Sequence, residues 1–356
     1  MSDQGNDSKS DSTTTRAGKR APAPGRRAAR ATTFIVALAS AVGFITTYQP
    51  PRALARAPFG DHVPLDSNVP RVRLASSAFG RSGALQVRFA LPGERVDYPL
   101  ELRGDTTGLD YVWERLADSM PIHALRPFTG DSLMVPADPG FYQLALVRDG
   151  LRRVVNGLTL AVIVPFDAKK GPVLDGYRMG TYPGERSGHA DPDRPAGFVR
   201  VTADEADLQI TRHLRLSDFL TRDGQDTWPR YAAVNPRVLD KLELVVERIS
   251  HSLGERTPEV EVDVHSAFRT PAWNRRVPRA ARDSRHQFGD AVDVAIDANG
   301  DGRMDARDAR LVAAAVDSVE AEYPDLVGGM GLYTSGRYRH PYVHIDARGT
   351  RARWRG

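Results

Sequence analysis

The chain has 356 residues, 41% of them hydrophobic and 26% charged, which is the make-up of a folded globular protein long enough for two domains and tails. It has no cysteine, which excludes disulfides, thiolate metal sites and thiol chemistry. The net charge of +4 resides in residues 1–31, where seven Lys/Arg face three Asp; the remainder is neutral, so nucleic acid is not an expected partner.

Residues 1–31 are rich in Ser, Thr, Ala, Pro and Arg and read as a disordered basic cytoplasmic tail. An uncharged apolar run follows from Thr33 to Tyr48. With the Arg-rich flank kept inside, residues 32–48 are expected to anchor the chain in a membrane, the body facing the periplasm or cell exterior. The rival reading is a signal peptide cleaved near Ala53-Leu-Ala55, which would release a secreted protein. Residues 49–68 read as a linker.

Between residues 69 and 165 the pattern is that of short strands. Leu85, Val87, Phe89 and Leu91 alternate with polar or small residues. Asp149-Gly150 between Phe141–Arg148 and Leu151–Val155 is a hairpin signal, and Leu158–Val164 is a further β-branched run. A small β-sandwich is expected. Residues 166–200, dense in Gly, Pro, Asp and Arg, read as a connector.

Residues 201–356 read as an α+β domain. Asn235-Pro236 is an N-cap with proline at the first helical position, opening a helix to about Leu253. Strands are expected at Val260–Val264, Ala291–Ile296 and Tyr342–Asp346, a short helix from Thr270-Pro271, and a longer one over Ala306–Glu322.

Chemistry concentrates in this last domain. In His286-Gln-Phe-Gly289-Asp-Ala291-Val-Asp293, Gly289 permits a tight bend that lets the strand return Asp293 to the histidine. On the last strand Tyr342, His344 and Asp346 share one side, being two residues apart. His286, Asp293 and His344 would give a catalytic zinc its three protein ligands and leave one position for water.

Ser266-Ala-Phe-Arg269 with Asn274, His286-x-x-Gly289-x-Ala291-x-Asp293, Gly328-Gly329-Met-Gly331-Leu-Tyr333, Val343-His344-Ile-Asp346-Ala-Arg348-Gly349 and a closing Arg-Ala-Arg-Trp354 resemble the D-Ala-D-Ala carboxypeptidase family of zinc peptidases. The resemblance spans about residues 205–356. It implies the fold shared with lysostaphin-type peptidases and the hedgehog domain, a His-Asp-His zinc site, and peptidoglycan peptides as substrate. It also implies that Arg269 steadies a substrate carbonyl or carboxylate, a role its planar charged fork suits; a structural salt bridge is the alternative. Ser266 and Asn274 either shape the loop around Arg269 or touch substrate. The run Gly328–Gly331 reads as a turn that permits close backbone approach, or as a plain strand connection.

The sequence departs from the family at Pro341 and Tyr342, where many members carry an acid or a second histidine. Asp346 and His340 are then the candidates for general base, Asp346 also fitting a role behind a metal ligand, and Tyr342 is a candidate hydrogen-bond donor to the oxyanion. An inactive zinc-fold module that binds cell-wall peptides is the alternative function. Finally, Asp297, Asn299, Asp301, Asp305 and Asp308 fall at positions 1, 3, 5, 9 and 12 of a calcium-loop pattern, with Gly302 at position 6 and Arg303 offering its carbonyl at 7. A second ion, Ca2+, is expected there; an acidic turn capping the next helix is the other reading.

Overall fold

A computed structural model describes residues 71–74, 80–97, 100–103, 105–130, 132–185, 193–254, 260–334 and 340–356. The described residues belong to one unit, Pro64–Gly356. The basic tail, the expected anchor or signal at 32–48 and the linker lie outside them. Among the described residues no helix is long and apolar enough to cross a membrane.

Strands are many and helices few. The first part holds β1 (Arg71–Leu74), β2 (Val87–Ala90), β3 (Arg95–Asp97), β4 (Leu100–Arg103), β5 (Asp110–Arg115), β6 (Arg126–Pro127), β7 (Ser132–Met134), β8 (Gly140–Arg148) and β9 (Leu151–Val162). Asp149 (φ 50°) and Gly150 (φ 75°) take the two left-handed positions of a tight hairpin turn, so β8 pairs antiparallel with β9 from Arg148↔Leu151 outward. The run after Gly157 is not a separate strand, because β9 continues to Val162 across a register shift. Five strands form a mixed sheet in the order β2-β9-β8-β5-β6, beside two-stranded ribbons β1–β4 and β3–β7.

The described residues of the connector 166–200, and the short strand just before it, contribute to the core. β10 (Val164–Pro165), β11 (Val173–Leu174), β12 (Tyr177–Arg178) and β13 (Gly197–Val201) alternate with turns, and Phe166, Leu174, Tyr177, Met179, Tyr182 and Phe198 are buried.

Next come α1 (Leu216–Phe219), β14 (Arg230–Ala232) and α2 (Pro236–Leu253). The Asn235 side chain accepts from Arg237 N–H at 3.0 Å, Pro236 supplies a preset φ, and Gly254 at φ 75° ends the helix. Its face of Val238, Leu239, Leu242, Val245, Val246 and Ile249 is buried. β15 (Val262–Ser266) starts two residues later than the alternation suggests. α3 (Pro271–Asn274) is capped by Thr270, while β16 (Ala291–Ile296), α4 (Ala306–Glu322) and β18 (Tyr342–Asp346) keep their expected bounds. The glycine run is not a turn but part of strand β17 (Gly329–Tyr333), and β19 (Ala352–Arg355) closes the chain.

These strands make a sheet in the order β15-β16-β18-β17-β19. One face is Val264, Val292, Val294, Ile296, Val343 and Ile345, all buried, with α2 and α4 packed behind. The other face carries the cross-strand row Ser266↔Asp293↔His344↔Gly331↔Trp354. Period-2 alternation therefore puts the greasy residues on the helices and the chemistry on the opposite side.

Helix α2 ties this arrangement together with buried charges. Asp240 accepts from Arg81 N–H, Ser82 N–H and Ser82 Oγ–H at 2.9–3.0 Å. Glu243 accepts from Thr211 Oγ1 and from the backbone N–H of His213. Lys241, fully buried, donates to Glu320 Oε1 of α4 and to the Asp346 carbonyl of β18, both at 2.7 Å. Replacing Lys241 by Met strips a buried carboxylate and a buried carbonyl of their donor. Urea unfolding is expected to show a loss of about 3 kcal/mol. A companion Glu320→Leu change is expected to return part of it; no loss in the single variant would refute this account of the helix.

Candidate metal centre

His286 lies on a 3-10 turn, Arg285–Phe288, that ends at Gly289. Gly289 has φ 73°, and a Cβ there would stand 2.3 Å from the Ala233 carbonyl oxygen, so glycine is required twice over. The chain then enters β16 and presents Asp293, while β18 presents His344 beside it in register.

The donor atoms converge. His286 Nε2 is 3.1 Å from His344 Nδ1 and 3.2 Å from Asp293 Oδ1, and His344 Nδ1 is 2.8 Å from Asp293 Oδ1. Tetrahedral zinc with bonds of 2.0–2.1 Å has ligand edges of about 3.3 Å, so this set needs only a slight expansion to hold such an ion. Among the described residues it is the one group of three His, Asp or Glu side chains whose donors meet this closely. All three residues are buried, Asp293 and His344 each keeping 9% of their side-chain surface exposed.

Each donor is aimed by a partner behind it. His286 Nδ1 is 2.6 Å from the Ala267 carbonyl; a carbonyl can only accept, so Nδ1 carries the proton and Nε2 turns a lone pair inward. His344 Nε2 faces Asp346 Oδ2 at 3.2 Å, so its Nδ1 is the inward atom. The outer oxygen of Asp293 accepts from Arg269, whose Nε donates to Ser266 Oγ at 2.7 Å. Burial favours the uncharged form of all three. For Asp293 that is overridden by His286 and His344, which hold its carboxyl far below the usual range. For His344, bonds to Asp293 and Asp346 outweigh burial and raise its pKa, whereas burial prevails at His286 and lowers it.

Several sequence expectations change here. Arg269 does not reach into open space for substrate; its Nε and one Nη are engaged with Ser266 and Asp293. Ser266 and Asn274 shape the loop, Asn274 by donating to the Ala281 carbonyl at 2.9 Å. Asp346 cannot be a general base, because it is wholly buried and its carboxylate is saturated by Gly329 N–H, Arg348 and His344. Those bonds hold its pKa far below that of a free carboxyl despite burial. His340 is exposed and outside the three-donor group, and Tyr342 is half-buried, stacked on Tyr333 with ring centres 4.4 Å apart.

Two residues that sequence reading left without a role complete a circuit around His344. Arg348 pairs with Asp346 and lies over the Trp354 ring, and the Trp354 ring packs on His344 at 5.1 Å. Gly331 makes this possible, since a Cβ there would stand 2.3 Å from Trp354 Nε1. The sequence signal was present, as Trp354 and Gly331 belong to the motifs of the resemblance, but only strand register reveals that they meet.

The acidic loop caps the helix that follows it. Asp308 accepts from Ala298, Asn299 and Asp305 N–H, forming a capping box with Asp305 at the start of α4. Asp297 accepts from Gly300, Asp301 and Gly302 N–H, Asn299 from Asp301 N–H, and Asp301 from Arg303 N–H. The expected calcium donors are thus engaged with the loop's own backbone, and their carboxylates form no convergent group.

No protein-family model matches the chain, and no curated protein matches it. Among solved structures, the crystal structure of Serratia marcescens L-Ala D-Glu endopeptidase ChiX aligns with 33% of this chain and 83% of its own, at 22% identity and a TM-score of 0.23. The metal centre stands on its own donor geometry. Asp346→Asn keeps the size of the group behind His344 but removes its charge. Competition with a chromogenic chelator is expected to show zinc held about 10-fold more weakly; unchanged affinity would contradict the orienting role.

Proposed function

We propose that this chain is a zinc-dependent peptidase of bacterial cell-wall peptides, cutting stem peptides or cross-links of peptidoglycan. One observation carries the reading: two imidazole lone pairs and a carboxylate oxygen, drawn from a 3-10 turn and two strands, converge within 3.2 Å. The substrate class is supported by the motif resemblance over residues 205–356.

A zinc ion at this centre supplies Lewis-acid polarisation of a carbonyl and makes water acidic enough to deprotonate near neutral pH. The chain's own residues do the rest. Ala267, Arg269 and Asp346 fix the three donors from behind. An extended peptide would lie along the Ser266–Trp354 row, beside the stacked rings of Tyr342 and Tyr333. Tyr342, on the same face as His344, would donate a hydrogen bond to an oxyanion.

The same reading keeps the N-terminal run as an anchor or export signal. It also keeps Ca2+ as a ligand of the loop 297–308, supported by its oxygen spacing and by Gly302 at φ 78°. Calcium binding there requires Asp308 to exchange backbone N–H groups for the ion. With zinc held saturating, added calcium is expected to raise Tm, and an unchanged Tm would remove calcium from the account.

Purified muropeptides incubated with the zinc-loaded chain are expected to give shortened or separated peptides by mass spectrometry. His286→Ala is expected to lose both stoichiometric zinc and product. Zinc and peptide binding without any product would support the alternative of a binding module instead.

A further inference from the structure

We propose that the free edge of strand β19, with the trench between it and helix α4, binds an extended acidic peptide by adding it to the sheet; the inference makes no use of the metal centre. Strand β19 stands last in the sheet order and, among the described strands, pairs with β17 alone, in parallel. Ala352 N–H and Gly356 N–H donate to the Gly328 and Leu332 carbonyls on that side. In a parallel ladder alternate residues turn both backbone groups the same way. Arg353 and Arg355 therefore direct their N–H and C=O groups away from the sheet, and no backbone group among the described residues meets them. A chain laid alongside in extended form satisfies such groups, which is how open sheet edges take up peptides.

Below that edge the helix does not fill the space against the strands. Arg310, Ala313, Ala314 and Asp317 lie on one face of α4 by helical spacing. Alanine at the two middle positions leaves a trench of about 450 Å³, floored by Met330 and Leu332 of β17 and bounded by Arg353 and Arg355 of β19. Parallel register puts Met330 beside Arg353 and Leu332 beside Arg355. The trench is thus apolar along its floor and basic along its rim. Every second side chain of an added strand would point into it.

Charge selects the occupant. At one end of the trench Arg353 is matched by Asp317 and Glu320. At the other end two cations stand without acids. Arg355 is one strand step beyond Arg353, and Arg310 is two helical turns before Asp317. Both are exposed, and among the described residues neither side chain has a hydrogen-bond or ion-pair partner. Asp305 feels the charge of Arg310, but its carboxylate is engaged by the Arg307 N–H of the helix cap. Two unmatched guanidinium groups over an apolar floor fit a segment that carries acidic and apolar side chains on one face, and they repel a basic one. A lipid or a sugar would leave the outward amides of Arg353 and Arg355 without strand partners, so an extended peptide is the occupant that uses all three features.

The test titrates the full chain by calorimetry with the peptide acetyl-Glu-Thr-Leu-Thr-Glu-amide, whose Glu and Leu side chains share one face of a strand. Saturable binding is expected, and none with Lys in place of both Glu. Arg310→Gln and Arg355→Gln are each expected to weaken binding about 3-fold, as exposed ion pairs do. Arg355→Pro also removes an outward N–H, at a position where an edge strand tolerates proline, and is expected to weaken binding about 10-fold. Ala314→Leu, on an exposed helix position, fills the trench and is expected to abolish binding with Tm unchanged. Failure of the acidic peptide to bind, or equal binding of the basic one, overturns the proposal. Equal affinity of Arg355→Gln and Arg355→Pro overturns strand addition. A concentration-dependent dimer that Arg355→Pro abolishes would give the edge to a second copy of the chain and overturn the acidic partner.

Discussion

Two unprotonated imidazole nitrogens and an ionised carboxylate oxygen repel one another when held about 3 Å apart away from water, unless a cation or a shared proton lies between them. The chain nevertheless forces His286, His344 and Asp293 into that arrangement. It does so with the Ala267 carbonyl, the Arg269–Ser266 clamp and the Asp346–Arg348 pair. A fold that commits this many buried polar contacts to aiming three donors at one point is built around whatever occupies it.

The rest of the domain follows from keeping those donors in register. A sheet holds side chains on fixed rows, and the row from Ser266 to Trp354 crosses all five strands. Its rigidity comes from the opposite face, where valines and isoleucines pack on α2 and α4. Lys241 couples the two faces. Its ammonium, sealed between Glu320 and the Asp346 carbonyl, fixes the backbone of the residue that orients His344. Through Asp240 and Glu243 the same helix also grips the loops at 80–82 and 211–213, so displacement of α2 would be felt at both ends.

What could be read from the sequence was whatever local pattern determines. The Asp149-Gly150 hairpin, the Asn235-Pro236 helix start, the bounds of β16, α4 and β18, and the pairing of His286 with Asp293 follow from short-range rules, while His344 joins that pair across more than fifty residues and was legible through the motif resemblance. What could not be read depended on register. Gly328–Gly331 looks like a turn because glycines usually mark turns, yet Gly328 and Gly329 are small because Asp346 fills their side-chain space and Gly331 because Trp354 does. Asp346 looks like a base because alternation puts it beside His344, but alternation is blind to the Arg348 and Gly329 donors that saturate it. Arg269 looks free for substrate until Asp293 is brought within reach.

Charge balance gives the centre its character. Asp293 is matched by Arg269 and Asp346 by Arg348, so with neutral imidazoles the shell sums to zero before a metal arrives. A dication bound there has its charge little compensated by the protein, in a site where low solvent access weakens screening. Such a field would stabilise negative charge on an oxygen beside the ion. A shell with two unmatched carboxylates would bind the same ion more tightly and neutralise it. The paired arginines would therefore lower metal affinity and raise the electrophilic strength of an ion held there.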